Sequence, residues 1–174
     1  MILTAVCLGL RVRELLGLKW EDLDFENLAI RIQRSISEGE LNETKTETSE
    51  ATLPQDPGLT ESLLMHKRRS AYTKDSDYIF ANKHGKPRWL DTIRKKVLQP
   101  AAKRAGINKR IGWHTFRHTY SSLLHSLETP LIVQKELLRH ADIRTTMDYT
   151  QSIGNEKRET QLKVAELLRK DLIS

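Results

Sequence analysis

Cysteine is almost absent from this chain of 174 residues, which has one thiol, Cys7. A single cysteine excludes a disulfide within the chain and suits a reducing cytosol. Cys7 lies in the apolar run from Met1 to Leu10, and we therefore predict that it packs in the hydrophobic core.

The sequence also lacks a long hydrophobic run. The run at 1–10 is too short to span a bilayer, and no basic residues precede it as they would in a signal peptide. We therefore expect a cytoplasmic protein without a membrane anchor. Because the run begins abruptly, with no capping residue before Ile2, we also expect that a preceding part of the domain is absent.

Acidic residues are fewer than basic ones. The chain has 29 Lys and Arg against 23 Asp and Glu, which gives a formal net charge of +6 and a pI of about 9.5. A basic balance suits a polyanionic partner but does not identify one, since many basic proteins bind no nucleic acid. With 38% hydrophobic residues and three Trp, the chain can form one globular domain with a real core.

Hydrophobic spacing predicts an α+β fold that is mostly helical, with one small antiparallel sheet of three strands. Leu28, Ile30 and Ile32 alternate with polar or small residues, which predicts a strand at 25–36. The polar stretch at 37–50 and the segment 51–54 that follows it predict two further short strands joined by a tight turn. Helices are predicted at 2–10, 12–18, 59–69, 90–105, 115–127, 130–138 and 155–172.

His114 and Arg117 are the first candidates for a chemical site. They are three residues apart at the start of a predicted helix, where they share a face near unpaired backbone N–H groups that favour an anion. A guanidinium binds phosphate oxygens with two parallel donors, so Arg117 suits the charge of a phosphoryl transition state. For this motif taken alone the favoured alternative is structural, with His114 capping the helix and Arg117 in a surface ion pair.

The same region allows two other interpretations. His114 and His118 have the spacing of a zinc-binding helix, but Thr115 stands where a metalloprotease has Glu and no third ligand stands out, so we predict no metal site. The segment 120–144 is also compatible with a helix-turn-helix, in which one helix crosses the DNA backbone and the next enters a groove. That interpretation predicts DNA binding without catalysis.

Six residues in order resemble the active-site set of the tyrosine recombinases, the phage integrase family. They are Arg11, Lys45, His114, Arg117, His140 and Tyr149. They stand in the motifs Gly9-Leu10-Arg11, Thr44-Lys45-Thr46, His114-x-x-Arg117, Leu138-Arg139-His140 and Thr145-Thr146-x-x-Tyr149. The resemblance implies the catalytic-domain fold of the DNA breaking-rejoining enzymes.

The first arginine of the set illustrates what the resemblance adds. The chemistry of the residues cannot choose between Arg11 and Arg13. The family pattern places the catalytic arginine directly after Gly-Leu, which selects Arg11. By the same pattern Glu14 braces Arg11, and Arg13 is a surface charge.

The resemblance implies a covalent mechanism that needs neither a metal nor another cofactor. Tyr149 attacks the scissile phosphate and forms a 3′-phosphotyrosine, which conserves the ester so that strands rejoin without ATP. His114 assists removal of the phenol proton, and Lys45 protonates the departing 5′-oxygen.

The three remaining residues of the set bind the phosphate in this mechanism. Arg11 and Arg117 hold the nonbridging oxygens, and His140 donates a further hydrogen bond. The sequence departs from the family next to this group, because Arg139 stands where a glycine is usual. If the backbone there is left-handed, a non-glycine residue costs about 1–2 kcal/mol.

The function implied is site-specific recombination of double-stranded DNA, as in integration or excision of a mobile element or prophage. By resemblance, 1–174 is the catalytic domain without its first segment and without the N-terminal helical domain that completes a clamp around DNA, so site preference needs the missing part. The helix at 155–172 is expected to mediate self-association on DNA. The alternatives are a type IB topoisomerase, which uses the same chemistry, and a non-catalytic DNA-binding fragment.

Overall fold

The computed structural model describes residues 1–37, 40–43 and 51–139. Lys45, His140, Tyr149 and the predicted helix at 155–172 lie outside the described residues. The helices are α1 (Ile2–Leu8), α2 (Val12–Gly17), α3 (Pro57–Arg69), α4 (Leu90–Ile93), α5 (Gln99–Arg104), α6 (Trp113–Ser126) and α7 (Leu131–Leu138). The strands are β1 (Leu23–Asp24), β2 (Ala29–Ile32), β3 (Arg34–Ser37), β4 (Glu40–Glu43) and β5 (Ala51–Pro54), and two short turns of other helix types stand at Trp20–Asp22 (3-10) and Arg94–Leu98 (π).

The domain is mostly helical, as the sequence predicts, and its larger sheet has three antiparallel strands in the order β1-β2-β5. Ile30 in the central strand lies opposite Leu23 on one side and Leu53 on the other. All three side chains are buried. They form the sheet's contribution to the hydrophobic core.

The sequence does not predict the first strand of this sheet, β1, and the predicted strand at 25–36 begins earlier than β2 does. The Asp24 carboxylate accepts hydrogen bonds from the backbone N–H groups of Glu26 at 3.1 Å and Asn27 at 2.9 Å. These local bonds end β1 at Asp24 and turn the chain before β2 begins. β1 has only two residues, too few to show the alternation that predicts a strand.

The predicted strand also divides at Gln33, and β3 pairs with β4 in a separate two-stranded ladder. Helix α2 packs closely on β3 at Gly17, where an added Cβ would lie 2.9 Å from the Arg34 backbone oxygen. The Arg34 guanidinium is 2.7 Å from the buried Asp22 carboxylate. This ladder and α2 therefore form one packed unit beside the larger sheet.

Helix α1 buries Thr4, Ala5 and Leu8 and leaves Cys7 exposed. The prediction that Cys7 packs in the core is therefore wrong. Thr4, Ala5 and Leu8 lie within an arc of about 100° around the helix axis, and Cys7 lies outside that arc. In the part of the chain that the structure describes, none of the helices combines the length and the apolar character needed to cross a membrane.

Candidate active site

The turn between α1 and α2 carries the first catalytic candidate and depends on a glycine. Gly9 has a φ of 55°, in the left-handed region. A Cβ at this position would lie 2.3 Å from Cδ1 of Tyr120 on α6. Both the backbone conformation and the close ring therefore exclude a larger residue, and the turn is held against α6.

Replacement of Gly9 by alanine is expected to destabilise the domain by about 2–4 kcal/mol, because left-handed strain and overpacking add. Gly106 is a matched control, since its φ is 69° but nothing lies within 4 Å of an added Cβ. Gly106→Ala should cost only the backbone strain of about 1–2 kcal/mol. Urea unfolding followed by circular dichroism measures both, and equal losses would contradict the role given to Tyr120.

Arg117 joins this turn to the end of α7. It is buried on α6, with 8% of its surface exposed. Its Nη1 donates to the Gly9 backbone oxygen at 2.6 Å, and its Nη2 donates to the Leu138 backbone oxygen. The alternative of a surface ion pair is therefore wrong, because Arg117 is buried and binds main-chain carbonyls.

Arg11 and Glu14 have the relationship that the family pattern implies. Arg11 Nη1 lies 2.7 Å from Glu14 Oε1, and the Arg11 backbone N–H donates to Glu14 Oε2 at 2.9 Å. The side chain of Arg11 keeps 41% of its surface exposed, whereas Glu14 is buried. Arg13 is exposed. Glu14 therefore braces Arg11 and Arg13 is a surface charge, while the catalytic role of Arg11 stays a prediction.

Arg139 joins Arg11, Glu14 and Arg117 in one cluster, which we call the arginine cluster. The sequence did not predict this position for Arg139. Its backbone is left-handed, with φ 53° and ψ 48°, and only 2% of its side chain is exposed. Arg139 Nη2 lies 2.9 Å from Glu14 Oε2 and 3.3 Å from the Gly9 oxygen. Arg139 and Glu14 are 125 residues apart in sequence, and no local pattern indicates such a contact.

The cluster is strongly positive. The guanidiniums of Arg11 and Arg139 contact the carboxylate of Glu14, and that of Arg117 interacts electrostatically with all three. Burial by itself would raise the pKa of Glu14, but Arg139 and Arg11 outweigh it and the net shift is downward. Burial, with Arg11 and Arg139 adding repulsion, lowers the pKa of Arg117 to about 9. Arg117 is therefore still charged at neutral pH, and the cluster attracts an anion.

His114 lies on the first turn of α6 and is exposed. The helix is capped by its neighbours, since the Gly112 backbone N–H donates to Thr115 Oγ1 at 3.1 Å. The alternative in which His114 caps the helix is therefore wrong. His114 stands one turn before Arg117 on the same helix, as the spacing predicts.

The structure thus brings together two of the six predicted site residues, Arg11 and Arg117, and places a third, His114, on the helix that carries Arg117. Arg11 Nη2 donates to the Arg139 backbone oxygen at 3.1 Å, one residue after the oxygen that Arg117 holds. The remaining three, outside the described residues, stay predictions. So does the helix-turn-helix interpretation, because its segment 120–144 extends past residue 139.

A family model described as the phage integrase family matches residues 1–156. The chain belongs to the phage integrase family. A curated relative, the tyrosine recombinase XerC-like protein of Caldanaerobacter subterraneus subsp. tengcongensis, is 32% identical over 182 residues, which covers 90% of this chain and 46% of the relative. The chain thus spans about half the length of this phage integrase relative.

Solved structures of integrases and recombinases share the fold. The Tn1549 transposon integrase in complex with a circular intermediate DNA has a TM-score of 0.75 at 21% identity, covering 85% of this chain and 52% of that one. The XerH site-specific recombinase bound to a difH substrate has a TM-score of 0.63 at 28% identity, covering 86% and 41%. The mostly helical fold with a small antiparallel sheet is therefore that of the phage integrase family, as predicted.

Proposed function

We propose that residues 1–174 are the catalytic domain of a site-specific DNA recombinase, which integrates or excises a mobile element through a covalent 3′-phosphotyrosine. The observation that carries this proposal is that Arg11 and Arg117 donate to neighbouring carbonyls at the end of α7, while Arg117 also donates to the end of α1. Two fixed guanidiniums suit the nonbridging oxygens of a phosphodiester, whose negative charge otherwise repels an incoming oxyanion.

The two arginines have different exposures and therefore different tasks. Arg11 keeps 41% of its side chain exposed and can reach a phosphate at the surface of the domain. Arg117 is buried, and its guanidinium supplies positive charge from a fixed position. Such preorganised donors stabilise a transition state because they need no rearrangement as charge develops.

The other members of the set complete the reaction in this proposal. Tyr149 is the nucleophile, and His114, exposed at the start of α6, assists the loss of its proton. Lys45 protonates the leaving 5′-oxygen, and His140 donates a hydrogen bond to the phosphate. Each step uses a group of this chain acting on the DNA.

The partner is double-stranded DNA, in keeping with the net charge of +6 and with the complex that the related XerH forms with its difH substrate. Target preference is assigned to a separate DNA-binding domain of the full recombinase. The helix predicted at 155–172 is assigned to self-association on DNA. The reaction takes place in the cytoplasm.

The test is a nicked suicide substrate built on a candidate attachment site from the flanking genome. Cleavage releases a short strand, so that the covalent intermediate cannot rejoin and accumulates. Denaturing gel electrophoresis should show a protein–DNA band for the parent chain. A parent that binds the site without a covalent band would support the non-catalytic alternative, and relaxation of supercoils without joining of two sites would support the topoisomerase.

Arg11→Ala should slow formation of the covalent band by about 10²-fold, the usual loss for one transition-state donor. Arg13→Ala is the matched control, because it removes an equal charge from an exposed position two residues away. Arg13→Ala should cleave at nearly the parent rate. Single-turnover rates at saturating DNA measure both, and equal defects would reassign the catalytic arginine.

A further inference from the structure

Arg139 occupies a position where its backbone favours glycine. A left-handed conformation costs a non-glycine residue about 1–2 kcal/mol, and Arg139 holds it with φ 53°. Its charge is also buried, which is unfavourable unless a partner compensates it. The ion pair with Glu14 at 2.9 Å and the hydrogen bond from Nη1 to the Leu137 oxygen at 2.8 Å supply that compensation. Only contacts of the side chain offset the cost of having arginine here.

Those contacts involve both phosphate-binding candidates. Arg139 accepts a hydrogen bond from Arg11 Nη2 at its own backbone oxygen, and its Nη2 shares the Gly9 oxygen with Arg117. It also occupies Glu14 Oε2, so that the Arg11 guanidinium bonds only the other carboxylate oxygen. The backbone oxygen would remain with any residue at this position, so the side chain of Arg139 influences Arg11 and Arg117 through two oxygen acceptors, Glu14 Oε2 and the Gly9 backbone oxygen.

The charge balance points the same way. With Arg139, three positive groups and one negative group leave the cluster at +2. With glycine at this position, Glu14 would cancel half of the charge of Arg11 and Arg117, and the cluster would stand at +1. Arg139 thus offsets the carboxylate that braces Arg11, and both other arginines keep their full effect on an anion.

We propose that Arg139 is a positioning residue that neutralises Glu14 and orients Arg11 and Arg117 toward the scissile phosphate. This inference rests on the proposed function, since it concerns the phosphate that the two arginines hold. Arg139 itself is too deeply buried to bind that phosphate and acts through its neighbours.

The first experiment uses inorganic phosphate as the probe and needs no target sequence. Isothermal titration calorimetry at constant ionic strength compares the parent chain with Arg139→Gly, Arg139→Lys and the exposed control Arg13→Ala. Arg139→Gly should weaken phosphate binding about 5- to 30-fold, the effect of one charge on the order of 8 Å away at an effective dielectric constant of roughly 20–40. Arg139→Lys should recover part of this loss, because it keeps the charge without the planar fork. Arg13→Ala should match the parent.

A contribution to folding alone is separated by a second substrate. If Arg139 acts through charge, the cleavage defect of Arg139→Gly should shrink when the scissile phosphate of the suicide substrate is replaced by an uncharged methylphosphonate. A defect of equal size on both substrates would overturn the proposal, and so would phosphate affinities that do not differ between parent and Arg139→Gly. An absence of phosphate binding by the parent would overturn it as well.

The two proposals can fail separately. A phosphate affinity that depends on Arg139, together with no covalent band from the parent, would retain the effect of Arg139 on anion binding by Arg11 and Arg117 and reject the recombinase. A covalent band together with phosphate binding that is insensitive to Arg139 would reject the positioning role and retain the recombinase.

Discussion

Tyr149→Phe is expected to remove the covalent protein–DNA product completely while leaving the affinity for DNA unchanged. Phenylalanine keeps the size and shape of the ring and removes only the phenol oxygen that is proposed to attack the phosphate. Without that oxygen no phosphotyrosine forms, and the remaining groups have no covalent route to cleavage. Denaturing electrophoresis of the suicide substrate measures the product, and fluorescence anisotropy measures the affinity.

Tyr120 is the matched control for this substitution. It lies on α6 against Gly9, close to the arginine cluster, and burial raises the pKa of its phenol. A half-buried phenol with a raised pKa is a poor nucleophile, so Tyr120→Phe should still form the product. Mass spectrometry of the DNA-linked peptide should identify Tyr149. Product formation by Tyr149→Phe, or a DNA-linked peptide containing Tyr120, would reject the assignment.

Arg117→Ala is expected to slow cleavage by about 10³-fold, at the upper end of the effect of one preorganised donor, because Arg117 also fixes the turn at Gly9. It should also lower the free energy of unfolding by about 1–3 kcal/mol, since the buried Leu138 oxygen loses its charged donor. Single-turnover cleavage and urea unfolding measure the two effects independently.

Arg117→Lys separates charge from geometry. An ammonium keeps the positive charge but cannot donate in a plane to two carbonyls that belong to different helix ends. We expect it to regain part of the stability and little of the cleavage rate. A lysine variant that cleaves like the parent would mean that charge alone is sufficient and that the anchoring of Arg117 is unimportant.

Local signals in the sequence were sufficient for most helices. The predicted end of α3 at Arg69 is confirmed, and its start at Pro57 follows from Asp56, whose carboxylate accepts from the Leu59 backbone N–H at 3.1 Å. Helix spacing and capping depend on residues at most four apart, and those are neighbours in any compact fold. The choice of Arg11 over Arg13 came instead from the family resemblance, through Gly9-Leu10 before Arg11, and the catalytic role of Arg11 stays a prediction.

Short strands were less predictable because their partners are distant. β1 has two residues and is stabilised by Ile30 and Ala29 of β2, and the bonds of Asp24 that end it can equally break any other element. The burial of an individual side chain is equally a property of the whole fold. Cys7 stands in an apolar run yet is exposed, because α1 turns its other face to α6.

The sequence by itself determined the family and the candidate residues, because short motifs indicate both. It also determined the helical character of the domain, because hydrophobic periodicity predicts helices. Tertiary structure alone decided that Arg139, a departure from the family pattern, stands beside Glu14 at a separation of 125 residues. It also decided that Arg117 is buried on two backbone carbonyls. Such contacts depend on how distant segments of the chain pack. The charge of the arginine cluster therefore cannot be predicted from patterns among neighbouring residues.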